Sequence, residues 1–223
     1  MKNVILAVAP HPDDETLGCG GTLLRHLSEG DEVHWLIMST ITEKSGFTKD
    51  KIDSRKLEIN VVAKRYGFTS FYQTSFETTT LDNVSIKEMI STISEYINKV
   101  KPNIMYVPFV NDIHTDHSSV FHALAPFSKS FRYPFIKKFR LYETLSETEF
   151  SINPNGNGFN PNLWVDISMY IDEKIEIMKL YRDEMSTHPF PRSETNIRAL
   201  ATFRGSTAGF NAAESFITLK EVI

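Results

Sequence analysis

The chain has one cysteine, Cys19, only two tryptophans, and no large excess of either charge. A single thiol cannot close an internal disulfide, and it excludes a zinc site built from several thiolates. Metal ligands, if there are any, must then be His, Asp or Glu. No run of about 18 apolar residues occurs, which excludes a transmembrane helix and makes the cytoplasm the expected address. The apolar run Val4-Ile5-Leu6-Ala7-Val8-Ala9 behind Lys2 is too short for a secretory signal, which needs roughly 7 to 15 apolar residues before its cleavage site. It reads as a buried first strand. The 24 basic and 28 acidic residues leave a formal charge of −4 with no long block of either sign. No nucleic-acid partner is expected. Internal repeats, a Walker loop and a Gly-x-Ser-x-Gly elbow are also lacking.

What is present is an ordinary globular composition. Of 223 residues, 41% are hydrophobic, a length and content able to bury roughly 70% of the unfolded surface. Short apolar runs alternate with helical patterns: strands at 4–9, 32–39, 70–73, 103–107 and 138–143, and helices at 16–29, 53–65, 85–99, 117–127 and 167–182. That alternation predicts an α/β fold, a Rossmann-like three-layer sandwich with a mostly parallel central sheet. In the second helix Leu57, Val61 and Val62 form the expected apolar stripe; in the third, Ile86, Met89, Ile90, Ile93 and Ile97 do so. Residues 151–162 hold five asparagines, two glycines and two prolines and read as a loop. We expect one domain over 1–223, with a loop or flap at 146–162. A loop at 187–192 with Pro189 and Pro191 leads to a final helical segment and a short terminal strand.

Two polar clusters follow strands directly. His11-Pro12-Asp13-Asp14-Glu15 leaves the first strand, and Asp112-Ile113-His114-Thr115-Asp116-His117 leaves the strand at 103–107. In open parallel sheets ligands bind outside the carboxyl ends of the strands, so the two clusters can converge although about a hundred residues separate them. Three carboxylates and an imidazole within five residues repel one another unless a cation sits among them. The bland reading is a solvated loop whose acids cap a helix. A catalytic zinc site takes three protein ligands and leaves a fourth position to water. His11, Asp14 and His117 would supply that set. Asp13, next to a ligand but facing away from the metal, is the natural general base, and His114 could stabilise an oxyanion or protonate a leaving amine. His122 lies five residues past His117, roughly 140° around a helix, and is a poor fourth ligand. His26 and His34 read as structural, and His188 as a surface or turn residue. Gly18-Cys19-Gly20-Gly21 lacks the third glycine of a dinucleotide fingerprint and reads as close helix packing, with Cys19 a small buried filler.

The stretch Ala9-Pro10-His11-Pro12-Asp13-Asp14-Glu15 with Gly18-Cys19-Gly20-Gly21, and His114-Thr115-Asp116-His117 downstream, resembles the PIG-L/LmbE family of zinc-dependent N-acetylglucosaminide deacetylases. Arg55-Lys56-Leu57-Glu58 ahead of Gly67 is similar to the family's Arg-x-x-Glu helix. Arg204-Gly205 with Ala213-Glu214-Ser215-Phe216 is similar to its closing segment. The resemblance implies zinc on His11, Asp14 and His117, Asp13 as base, and His114 as electrophilic or acid partner. It also implies Asp116 holding a histidine in its working tautomer, and Arg55 reaching a substrate hydroxyl or phosphate. Thr115 stands where the family commonly has Pro, and 146–162 does not align, which leaves the choice of substrate open.

The resulting expectation is a metal-dependent hydrolase that removes an acetyl group from an N-acetylated amino sugar or glycoconjugate. Its cofactor would be zinc, with iron or cobalt as other candidates, and a homo-oligomer is compatible with it. A metal-dependent phosphoesterase, which would carry two metals, and a non-catalytic sugar- or nucleotide-binding module are the rival readings.

Overall fold

The structure, a computed structural model, describes residues 2–152 and 158–223. In chain order the elements are β1 (Val4–Ala9), α1 (Asp14–Ser28), β2 (Glu32–Ile37), α2 (Lys49–Tyr66), β3 (Ser70–Gln73), α3 (Ile86–Val100), β4 (Ile104–Pro108), α4 (Thr115–Leu124), β5 (Lys138–Tyr142), β6 (Leu163–Asp166), α5 (Ile171–Met178), α6 (Glu194–Ser206) and β7 (Ala213–Glu221). They build one seven-stranded sheet in the order β3-β2-β1-β4-β5-β7-β6. The first five strands are parallel; β7 runs antiparallel to both β5 and β6. The α/β class with a mostly parallel central sheet is as expected.

β1 shows why the sheet sits in the middle. Its side chains alternate between two cores: Ile5, Ala7 and Ala9 join Trp35 and Tyr142 on one face, while Leu6 and Val8 join Met105 and Ile93 on the other. A strand buried on both faces must be apolar throughout, which the run from Val4 to Ala9 is. The helices end as their sequences dictate. Gly67 takes the left-handed conformation with φ 81° as the cap of α2, and Gly30, with φ 86°, follows α1.

The glycines of α1 answer to packing. A Cβ on Gly18 would lie 2.1 Å from the Tyr142 ring, and one on Gly21 2.8 Å from Ile167. The helix therefore presses directly on the sheet, and Cys19 is buried in the core.

Several expectations are corrected. The helix read at 167–182 is only Ile171–Met178, because Asp166 Oδ1 accepts from the Ser168 N–H at 2.9 Å and its hydroxyl at 2.6 Å, turning the chain before a helix can start. The second helix starts at Lys49, where the Thr48 hydroxyl caps it. Leu57 and Val61 are 62% and 40% exposed; the inward face carries Arg55, Glu58, Ile59, Val62 and Tyr66 instead. Ile86 is likewise exposed. β6 adds a strand beyond those expected, and the terminal strand is nine residues long. Residues 153–157 of the expected flap lie outside the described residues. Its flanks carry neither helix nor strand, and Glu147 lines the pocket described below. Among the described residues no helix is long and apolar enough to cross a membrane.

Candidate active site

The strand order reverses direction between β1 and β4, which is where open α/β sheets form a crevice at their carboxyl edge. His11 to Glu15 leave β1 there, and Asp112 to His117 leave β4. The two stretches meet: ring centroids lie 4.6 Å apart for His11 and His114, and 5.5 Å apart for His11 and His117.

Asp14 Oδ2 sits 3.3 Å from His11 Nδ1 and 3.3 Å from His117 Nε2. It also accepts the His11 backbone N–H at 2.8 Å. Each imidazole is oriented from behind by another carboxylate. Asp116 Oδ2 lies 3.0 Å from His11 Nε2, and Asp112 Oδ2 lies 2.8 Å from His117 Nδ1. Both arrangements leave the opposite ring nitrogen facing Asp14, the relation that carboxylates keep with metal-ligating histidines. Asp116 is fixed in turn by the backbone N–H groups of Thr79 and Leu81 at 2.7 and 3.0 Å.

Charge explains the electrostatics. Burial alone would lower the His11 imidazole, but Asp116 and Asp14 overrule it and push its pKa up to about 9. Burial would raise Asp14, yet His117 and His11 hold it well below the carboxylate range. Carboxylates that favour charged imidazoles so strongly also favour a divalent cation among them. The fit to a metal rests on a local observation as well. His117 Nε2 is buried and, although Asp14 Oδ2 lies 3.3 Å away, makes no well-aligned hydrogen bond, a costly state for a polar atom unless something fills the gap.

Two ligand groups at this site bring their atoms within 4.8 Å: His11, Asp14 and His117, and His11, His114 and Asp116. The second is spoken for, since Asp116 already accepts three hydrogen bonds and His114 Nδ1 accepts the Asp116 N–H at 3.1 Å. The first matches the set read from the sequence.

Asp13 takes the opposite direction from Asp14. Its φ of 130°, rare for any residue but glycine, turns it toward Arg192, whose Nη1 donates to Asp13 Oδ2 at 3.0 Å. Burial, then Asp14 and Glu184, raise the Asp13 carboxyl well above its usual range, opposed by Arg192. Glu15 points inward and accepts the hydroxyl protons of Thr16 and Tyr181, both at 2.6 Å; it props the turn and does not face the cluster.

The pocket beside the cluster has a volume of about 270 Å3. Its wall mixes Ser39, Thr40, Gln73 and Thr79 with Phe47 and with the charged Lys51 and Glu147. Arg55 also lines it, its Nη1 donating to the Pro12 carbonyl at 3.1 Å and its Nη2 engaged by Glu184. Glu184 bridges on to Arg192 at 3.2 Å, so the acidic and basic groups alternate from Arg55 to Asp13. Sequence reasoning missed Arg192, Glu184 and Lys51, because their loops and helix carry no motif. It also gave Asp112 no role, although Asp112 is five residues before His117. His122 is exposed; His26 and His34 make structural hydrogen bonds to Asp31 and Ser70.

Known proteins share this fold. The chain is 23% identical over 222 residues to the diacetylchitobiose deacetylase of Thermococcus kodakarensis, covering 94% of this chain and 80% of that one. The structure of N,N'-diacetylchitobiose deacetylase from Pyrococcus horikoshii shares the fold with a TM-score of 0.77 at 22% identity, over 97% of this chain and 83% of that one. The 4-carboxy-2-hydroxymuconate hydratase GalB of Pseudomonas putida KT2440 shares it with a TM-score of 0.74 at 16% identity, over 100% and 98%. Residues 6–127, which hold both polar clusters, match the PIG-L model described as GlcNAc-PI de-N-acetylase, and the chain belongs to that family.

Proposed function

We propose that this protein is a metal-dependent hydrolase that removes the acetyl group of an N-acetylated amino sugar or glycoconjugate, with zinc on His11, Asp14 and His117. The observation that carries the reading is the buried Nε2 of His117, which faces Asp14 Oδ2 at 3.3 Å and the His11 ring without a well-aligned hydrogen bond. Two imidazole nitrogens and a carboxylate suit zinc, and by donor type also iron or cobalt. Bound there, such a cation supplies Lewis acidity, polarising a carbonyl and lowering the pKa of water.

The remaining roles belong to side chains. Asp13 takes a proton from the attacking water and delivers it to the departing amine nitrogen; its raised pKa makes it a stronger base than an ordinary carboxylate. His114 accepts the Asp116 N–H at Nδ1, so its neutral ring carries the proton on Nε2, available to the developing oxyanion. Asp116 and Asp112 keep the His11 and His117 rings in the tautomers that leave one nitrogen free for the metal. Arg55 is assigned to a substrate hydroxyl. The hydroxyl and amide side chains of the pocket, with Phe47, suit a polyhydroxylated ring, whose groups need both donors and acceptors.

The test is acetate release across N-acetylhexosamine conjugates on a metal-analysed sample. Acetate release that a chelator stops and zinc restores supports the reading. Since the fold also carries a hydratase, acetate itself must be read. Phosphate release, or conversion without acetate, would replace the proposal.

A further inference from the structure

Toward the far end of α1, this helix and strands β4, β5 and β6 enclose a second cavity, of about 240 Å3, whose wall includes Thr22, Arg25, His26, Tyr106, Arg140 and Trp164. The eleven residue-to-residue steps of helix from Asp14 to Arg25 span roughly 16 Å, so this cavity is separate from the metal centre.

Arg140 is 8% exposed, and no carboxylate among the described residues pairs with it. Its Nη1 donates to the Tyr106 hydroxyl at 2.9 Å, and its Nε is buried without a partner. The Tyr106 hydroxyl donates to His26 Nε2 at 3.0 Å, and His26 Nδ1 donates to Asp31 at 2.7 Å. Every donor in this relay points away from Arg140, and the single carboxylate at its end is two groups removed from the guanidinium. A buried cation placed so is costly without a nearer counter-charge.

Two further buried polar atoms without partners, Thr22 Oγ1 and Trp164 Nε1, belong to the same wall. The guanidinium and the indole N–H can only donate. Donors in excess of acceptors are complemented by a group rich in lone pairs and negatively charged. Arg25 adds a second guanidinium. Against it stand Glu29, exposed on the rim and paired to Arg25 at 2.9 Å, and the carbonyl end of α1. Arg140 remains in excess.

We propose that this cavity is a second ligand site, taking a compact oxyanion of the carboxylate or phosphate class between Arg140, Trp164 and Thr22. The volume admits a small anionic group and not a macromolecular surface.

The sequence supplies the reporter. Of the two tryptophans, Trp35 is fully buried in the core and Trp164 lines the site. Inorganic phosphate and, separately, acetate are titrated into the purified chain at ionic strength held constant with sodium chloride, following tryptophan emission and Tm. At least one anion is expected to give a saturable emission change and a rise in Tm. Trp164→Phe should lose the emission signal, and Arg140→Met should bind about tenfold or more weakly, the loss of a charged hydrogen bond. Should Arg140→Met fail to fold, Arg140→Lys keeps the charge, loses the Nε–H, and is expected to bind more weakly than the parent. His117→Ala should retain the response, which separates this site from anion binding at the metal centre. The relative affinities of phosphate and acetate identify the class. No saturable change with either anion would overturn the proposal and leave the cavity to water. So would an unaltered response in Arg140→Met, or a response lost in His117→Ala.

Discussion

Asp112 Oδ2 lies 2.8 Å from His117 Nδ1, and that bond turns the other nitrogen of the ring toward Asp14. Asp112 is itself fixed by the Thr148 hydroxyl at 2.6 Å, so the orientation of one ligand passes through a carboxylate to the loop after β5. Replacing Asp112 by Ala frees the ring without removing it. Zinc affinity, measured by competition with a chelator of known strength, should fall about 10- to 100-fold. Affinity equal to that of the parent would show that His117 needs no such partner.

Asp13 and Asp14 are neighbours with separate tasks. Asp13→Asn keeps the shape of the side chain and removes the base. Its metal content should match the parent while the rate of acetate release falls about 10²- to 10⁴-fold. Turnover near the parent's would remove Asp13 from the chemistry.

Much of this site was legible from the residues. Strand exits at Ala9 and Pro108 put His11 and His117 on one edge of the sheet, and the period of the apolar runs sufficed to predict that edge. Arg192 and Glu184 were not legible, because contacts made 171 to 179 residues away from Asp13 by irregular segments leave no periodic trace. Leu57 and Val61 misled for a related reason. The inward face of α2 serves Arg55 and Glu58, which meet at 3.2 Å, so the apolar pattern lost to the demands of the pocket. β6 was hidden because four partly buried residues beside the Asn-rich stretch show no clear alternation.

Gly18 faces the fully buried Tyr142 ring, which is tied to the Val8 carbonyl at 2.8 Å and cannot retreat. Gly18→Ala is expected to cost about 3 kcal/mol, a drop in Tm of roughly 6–12 °C for a chain of this size. Gly158→Ala, where a Cβ meets open space, is the control and should leave Tm unchanged.

His26 gives a pH signature. Burial lowers its pKa below the ordinary 6.5, against the pull of Asp31. Below about pH 6.5 the unfolded chain takes up this proton and the folded chain does not. The stability that His26 contributes is therefore present above pH 6.5 and is lost as the pH falls toward the lowered value. Denaturant unfolding of the parent and of His26→Gln between pH 5 and 8 should show the parent losing stability relative to the variant on the acid side. A difference that does not change with pH would mean that His26 is not held neutral.

The most direct test of the account counts metal per chain. After loading with zinc and removal of the excess, the parent should hold one equivalent, and both His117→Ala and His11→Ala should hold almost none while keeping the circular dichroism of the fold. Full occupancy in either variant, or two equivalents in the parent, would contradict a single cation held jointly by the segments that follow β1 and β4.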